Sequence, residues 1–254
     1  MMPVVFVGHG SPMNAIEKNE YTEGWKEISA AIPKPSAILA ISAHWFTEGT
    51  RVQTSETPKT IHDFYGFPKE LYDVEYPVVG APNIANRAME LVGDVAFVDN
   101  TWGIDHGAWS VLRIMYPDAD IPVCQMSIDQ NLSSKEIFDL GKKLKPLREE
   151  NVLIFGSGNV VHNLGLVDFS ARGGYDWADE FDEYIYNAIK MRDFDGVINY
   201  KRAGDCARYA FPTPEHFNPL LYVLGASNEK DKMSVYNHSR FAGSLSMTSY
   251  IFSE

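Results

Sequence analysis

The stretch at residues 3–13, PVVFVGHGSPM, runs four apolar residues straight into a histidine set between two glycines. Unbroken rather than alternating hydrophobicity suits a strand buried on both faces, and a sheet covered on both faces requires helical crossovers. Gly8 and Gly10 let the backbone turn sharply or approach a neighbour closely. His9 is therefore delivered at the carboxyl end of a predicted strand, where open α/β sheets place their ligand sites.

The same form recurs along the chain. Apolar runs at 38–41, 95–98, 121–124 and 152–155 read as further buried strands, with helical patterns between them. Residues 83–92 carry apolar positions at helical spacing. Ser133 and Glu136 form a capping-box pattern opening an amphipathic stretch that Pro146 ends or kinks. Residues 177–192 place Phe181, Tyr184, Ile185, Ala188 and Ile189 on one side of a helix, as a core-facing helix requires whatever the protein does. The run 244–252 reads as a late strand with polar interruptions, which makes the sheet mixed. The expected fold is α/β, one domain over residues 1–254, with a central mixed, mainly parallel β-sheet flanked by helices.

Composition narrows the class. The chain has 254 residues, 45% hydrophobic and 22% charged, enough for one substantial core and unlike a disordered chain. A formal charge of -12, with no Lys/Arg stripe interleaved with aromatics, argues against nucleic acid as a partner. No apolar run is long enough to span a bilayer and no secretory leader is visible, so no membrane association and a cytoplasmic location are expected. Cys124 and Cys206 make neither a disulfide framework nor a sulfur metal site and read as reduced core thiols.

Two long irregular connections, 47–79 and 164–177, are rich in Gly, Pro, Asp and aromatic residues, as loops that build or cover a site are. The first contains TIHDFYGFPKELYD, in which Phe64 and Tyr65 offer walls for a flat ligand. The same rings would equally anchor a lid.

The remaining histidines share the setting of His9. His44 follows the apolar run AILAIS, and His162 comes shortly after VLIFGSG. In PTPEHF, Thr213 can cap a helix with Pro214 at its first position, putting His216 in the opening turn. His106 stands just ahead of a helical pattern with Asp105 or Gly107 near the cap. Five imidazoles in turn-rich, glycine-flanked positions point to one cluster, and neutral imidazoles favour iron, zinc, copper or nickel over calcium or magnesium. Ligands scattered over strand ends suit an open catalytic site, at the carboxyl edge of the sheet, better than a structural zinc knot. The residues leave hydrolase and oxygenase both open. A serine nucleophile is not supported, since neither Ser11 nor Ser157 lies in a G-x-S-x-G elbow, and the segment 156–159 is not a phosphate-binding P-loop.

The motifs GHGSPM (8–13), SAHW (42–45), TIHDFYGFP (60–68), DHGAW (105–109), SGNVVHN (157–163) and PTPEH (212–216) occur in one order over nearly the whole chain. In this the sequence resembles the class III extradiol ring-cleavage dioxygenases, most closely the 4,5-DOPA extradiol dioxygenase group. The resemblance implies a metal held by His9, His44 and His216, the last standing where protocatechuate-cleaving relatives have a glutamate. It implies His162 as the acid/base residue and, in another state, a fourth zinc ligand, and His106 as a catalytic residue that orients substrate. Phe64 and Tyr65 would line the substrate pocket, His62 would line it too or else make a structural hydrogen bond, and Arg172, Lys59 or Lys201 could pair a substrate carboxylate.

The implied reaction inserts both atoms of O2 beside, rather than between, the two hydroxyls of a catechol. For L-DOPA, 4,5-cleavage would give a muconate semialdehyde. Fe(II) is expected for this oxygen chemistry, while an all-histidine set also suits Zn(II). A zinc-dependent hydrolase on the same scaffold is the alternative, and a nonenzymatic metal-binding protein a further one. The expected partners are a small catechol and O2, and the expected assembly is a monomer or small homo-oligomer.

Overall fold

The computed structural model describes residues 1–254. Its strands are β1 (Val4–Gly8), β2 (Ala37–Thr47), β3 (Thr50–Val52), β4 (Ala96–Val98), β5 (Val123–Asp129), β6 (Val152–Gly158), β7 (Lys232–Tyr236), β8 (Arg240–Phe241), β9 (Leu245–Ser246) and β10 (Ser249–Ser253). Eight form one sheet in the order β4-β3-β5-β2-β6-β1-β10-β7. The neighbours β5, β2, β6 and β1 pair in parallel, as do β3 and β4. The β3–β5, β1–β10 and β10–β7 pairs are antiparallel, so the sheet is mixed.

The helices are α1 (Glu20–Ala31), α2 (Lys69–Tyr72), α3 (Pro82–Val92), α4 (His106–Met115), α5 (Ser134–Leu144), α6 (Asp176–Lys190), α7 (Phe194–Ile198), α8 (Ala207–Ala210) and α9 (Asn218–Ala226). They cover both faces of the sheet, which explains the unbroken apolar runs. Val4, Phe6, Leu39, Ile41, Val152 and Ile154 pack with residues of α3, α5, α6 and α9. The alternate residues Val5, Val7, Ile38, Ala40, Leu153 and Phe155 pack with Trp25 and Ile28 of α1 and Trp109 and Leu112 of α4. One strand thus feeds two cores through its period-2 alternation.

Three local expectations need correction. The run 95–98 is not a buried strand: β4 is a short edge strand with Phe97 and Val98 half exposed. Its only sheet neighbour is β3, and of its residues only Ala96 packs into the core. The late run 244–252 is two strands. β10 joins the large sheet and β9 pairs with β8 in a separate ribbon. The break falls where Ser246 and Thr248 turn their hydroxyls onto the buried carboxylate of Asp182, at 2.7 and 2.8 Å. The strand expected at 121–124 begins instead at Val123 and continues to Asp129.

Ser133 and Glu136 do form a capping box at the start of α5, and Pro146 sits in a 3-10 turn directly after it. Helix α6 buries Phe181, Ile185, Ala188 and Ile189 as its spacing requires. Both cysteines are free and buried, and burial pushes the Cys124 thiol up to about 12. No helix is long and apolar enough to cross a membrane.

One buried ion pair ties the start of the chain to the end of α9. The Arg148 guanidinium donates to both oxygens of Asp231, at 2.7 and 2.9 Å, and to the carbonyls of Met2 and Ala226. Neither side chain is exposed.

Candidate metal centre

His9 follows the last residue of β1, and its N–H donates to the carbonyl of Gly158 at the end of β6. Gly10 adopts φ +60, which a side chain would strain, and so turns the chain away beside the histidine. His44 lies within β2, in the stretch where its pairing with β5 shifts register between Ile41 and Phe46. His106 is the first residue of α4, whose N-cap Asp105 accepts from the N–H of Ala108.

His216 ends the 3-10 turn Pro214–His216. Thr213 occupies the cap position with extended backbone, but its side chain makes no capping hydrogen bond, contrary to the expected helix cap. The turn is fixed by its other end: the carbonyl of His216 accepts from the Asn159 N–H at 2.8 Å. A Cβ on Gly158 would collide with that carbonyl, so glycine there admits His216 to the site.

These residues converge. Ring centroids of His9, His44 and His216 lie 5.1–5.3 Å apart, and His162 stacks on His216 at 3.4 Å with a 5° interplanar angle. His106 is 3.9 Å from His44, centroid to centroid. His9, His106 and His216 are almost fully buried.

The hydrogen bonds fix which nitrogens are free. Ser157 has one hydroxyl proton and donates it to the Gly107 carbonyl, so its oxygen accepts from His9 Nδ1 at 3.0 Å. Asp63 accepts from His44 Nδ1 at 3.0 Å through one oxygen and from His106 Nδ1 at 2.9 Å through the other. Glu215 accepts from His216 Nδ1 at 3.1 Å. With each Nδ1 a donor, the Nε2 atoms of neutral His9, His44 and His216 carry lone pairs. Nε2 of His9 and Nε2 of His44 face each other at 3.2 Å, and Nε2 of His216 is buried with no partner. Facing lone pairs at that distance repel unless a proton or a cation lies between them. A borderline transition-metal cation relieves the His9–His44 pair, and the possible ligand atoms within 4.8 Å of one another form two adjacent groups, His9 with His44 and His106, and His216 with His162 and Glu215; carboxylates behind the imidazoles are the usual support of such ligands.

Charges divide accordingly. Burial, reinforced by the neighbouring imidazoles, holds His9 and His216 well below the ordinary histidine range. Burial and the same neighbours push His162 down to about 3. Burial also opposes protonation of His44, but the hydrogen bond to Asp63 and the carboxylates of Asp105 and Glu215 outweigh it and raise the pKa. Burial works against ionisation of Asp63, and the bonds from His106 and His44 overcome it, holding the carboxyl well below its usual range.

The cluster opens into a cavity of about 680 Å³. The two long connections do build it: Asp63, Phe64, Tyr65 and Phe67 come from the first, Leu164, Val167 and Phe169 from the second. His62 does not line it. Its Nε2 donates to the Val74 carbonyl at 2.8 Å and its ring packs near Trp109, so it pins the loop that presents Phe64. Lys59, Arg172 and Lys201 are exposed and also lie outside the cavity lining. Asp63, Glu215 and Ser157 were not singled out as site residues from the sequence. Their signal is tertiary, since each acts by facing a ring nitrogen.

A mixed α/β sheet that gathers histidines from separate elements beneath an aromatic cavity defines a candidate metal-dependent enzyme with a pocket for a flat ligand. The family model for the catalytic LigB subunit of aromatic ring-opening dioxygenase matches residues 3–253. The chain is 44% identical to the 4,5-DOPA dioxygenase extradiol of Escherichia coli K12, over 98% of this chain and 93% of that protein. It is 38% identical to the protein of the same name from Beta vulgaris, over 97% and 95%. The crystal structure of an uncharacterized protein from Escherichia coli K12 matches with a TM-score of 0.87 and 40% identity, covering 100% of both chains. The chain belongs to the class III extradiol dioxygenases, in the LigB/4,5-DOPA dioxygenase family, and is an enzyme of that ring-opening chemistry acting on a catechol.

Proposed function

We propose that this protein is a single-domain, cytoplasmic enzyme that inserts both atoms of O2 into a catechol, cleaving L-DOPA at the 4,5 bond to a muconate semialdehyde. The observation that carries the reading is the pair of facing Nε2 lone pairs on His9 and His44, with the buried, unpartnered Nε2 of His216 in the same histidine cluster, under an aromatic cavity. These three residues would hold one divalent metal at the carboxyl edge of the parallel strands. Fe(II) bound there would bring catechol and O2 together and pass electron density between them.

The chain's own groups supply the rest. His162 is neutral at physiological pH, so one ring nitrogen is free to accept a hydrogen bond from a catechol hydroxyl; burial, which pushes its pKa down to about 3, leaves it a weak base until the negative charge of a bound catecholate raises that pKa. His106, with Nδ1 held by Asp63, presents Nε2 to orient the substrate oxygen. Phe64, packed beside His106, and the exposed Tyr65 line the cavity in which the catechol ring would sit. Support for one domain comes from the two cores sharing one sheet, and support for a reducing compartment from the two free buried thiols.

The nitrogen-only donor set also favours zinc, which keeps a zinc-dependent hydrolase in view. Removing bound metal anaerobically and reloading in parallel with Fe(II) and Zn(II), then following oxygen uptake and visible absorbance with L-DOPA, separates the two. Uptake and a yellow product with iron alone are expected. Zinc-dependent turnover without oxygen uptake would overturn the dioxygenase reading.

A further inference from the structure

The cavity is chemically one-sided. No lysine or arginine lines it, and its one carboxylate outside the histidine cluster is Glu17. Glu17 follows the turn Pro12–Ala15, with its N–H donating to the Met13 carbonyl. Its side chain is exposed, accepts no hydrogen bond and pairs with no cation of the chain. The histidines are buried at the floor, whereas Glu17 and the 80%-exposed Phe169 stand at the mouth.

Aromatic rings gather at the same mouth. Phe241 makes edge contacts with Tyr21, centroids 6.3 Å apart, and with Phe169 at 6.0 Å, and all three line the cavity. A carboxylate together with ring faces is the combination that attracts an alkylammonium, by charge and by the ring quadrupole. A substrate carboxylate would find no lysine or arginine on these walls, and the -12 charge of the chain opposes its approach.

We propose that Glu17, with Tyr21, Phe169 and Phe241, recognises the side-chain ammonium of the substrate, so that the enzyme selects catechols bearing an amine over catechols bearing a carboxylate. The proposal rests on the catechol reading above and sharpens it: the amine of L-DOPA is its handle, and its carboxylate is tolerated.

The test uses iron-reconstituted full-length protein with dopamine, L-DOPA, 3-(3,4-dihydroxyphenyl)propanoate and the uncharged 4-methylcatechol. Dopamine is expected to match or exceed L-DOPA in kcat/KM, with the propanoate poorest. Glu17→Gln should lower the dopamine to 4-methylcatechol ratio about fivefold, the size of one exposed charge contact, and Glu17→Lys should move the preference toward the propanoate. A wild-type preference for the propanoate, or an unchanged ratio in both variants, would overturn the proposal. Anaerobic calorimetric titration with the same compounds reads recognition without turnover. If dopamine binds tightest and nothing is cleaved, the assigned reaction fails and the ammonium site stands. If the propanoate binds tightest, the ammonium site fails whatever is cleaved.

Discussion

At Asp63 one carboxylate serves two imidazoles, and that double duty fixes both tautomers at once. An amide in its place could accept from only one Nδ1 and would present N–H to the other. Asp63→Asn is therefore expected to weaken metal binding about 10–100-fold, the usual cost of losing a carboxylate behind a ligating histidine. Competition against a chromogenic chelator reads this directly, and unchanged affinity would remove Asp63 from the metal's support. The histidines were legible in the sequence because glycines and strand ends marked them. Asp63 was not, because a carboxylate set among aromatic residues gives no local sign of the ring nitrogens it will face. Ser157 was hidden in the same way: its glycine neighbours were legible, but its role depends on β1 and β6 lying side by side.

Between elements, the Asp182 carboxylate of α6 gathers Arg240 at 2.7 Å, the hydroxyls of Ser246 and Thr248, and His238 at 3.3 Å. This knot holds the segment 238–248, whose Met247 backbone packs where Gly8 leaves no room for a Cβ. The hydrogen bond to Asp182 raises the pKa of His238 above 6.5, against a smaller opposing effect of burial. A pKa raised by folding adds stability that is complete below the unfolded value and lost as pH rises through the folded one. Wild type should therefore exceed His238→Gln in Tm at about pH 5.5, and the gap should shrink by about pH 9. A gap that widens with pH would contradict the pairing. The same knot shows why the late strand was only partly legible: the polar interruptions at 246 and 248 were visible, but not the buried carboxylate that pulls them out of the ladder. The central strands were legible because both of their faces are covered, whereas β4 carries a similar apolar run at an uncovered edge.

Across the whole molecule, two apolar cores on opposite faces of one sheet are joined through the strands they share, and the Arg148–Asp231 pair closes the far end. Arg148→Ala would leave a buried carboxylate uncompensated and two carbonyls without their donor. A loss of about 3–5 kcal/mol is expected, measured by denaturant unfolding. A loss under about 1 kcal/mol, the worth of a surface pair, would show that water reaches Asp231. The proposed ligands stand at positions 9, 44 and 216, so the unfolded chain holds no preformed site and nearly the whole polypeptide must be synthesised before the third imidazole exists. With these ligands, metal loading would wait until all three imidazoles had been made and brought together. A folded apoprotein of this kind would draw its ion from whatever pool surrounds it, and the iron or zinc content of a given preparation would record the supply in the producing cell as much as the preference of the site.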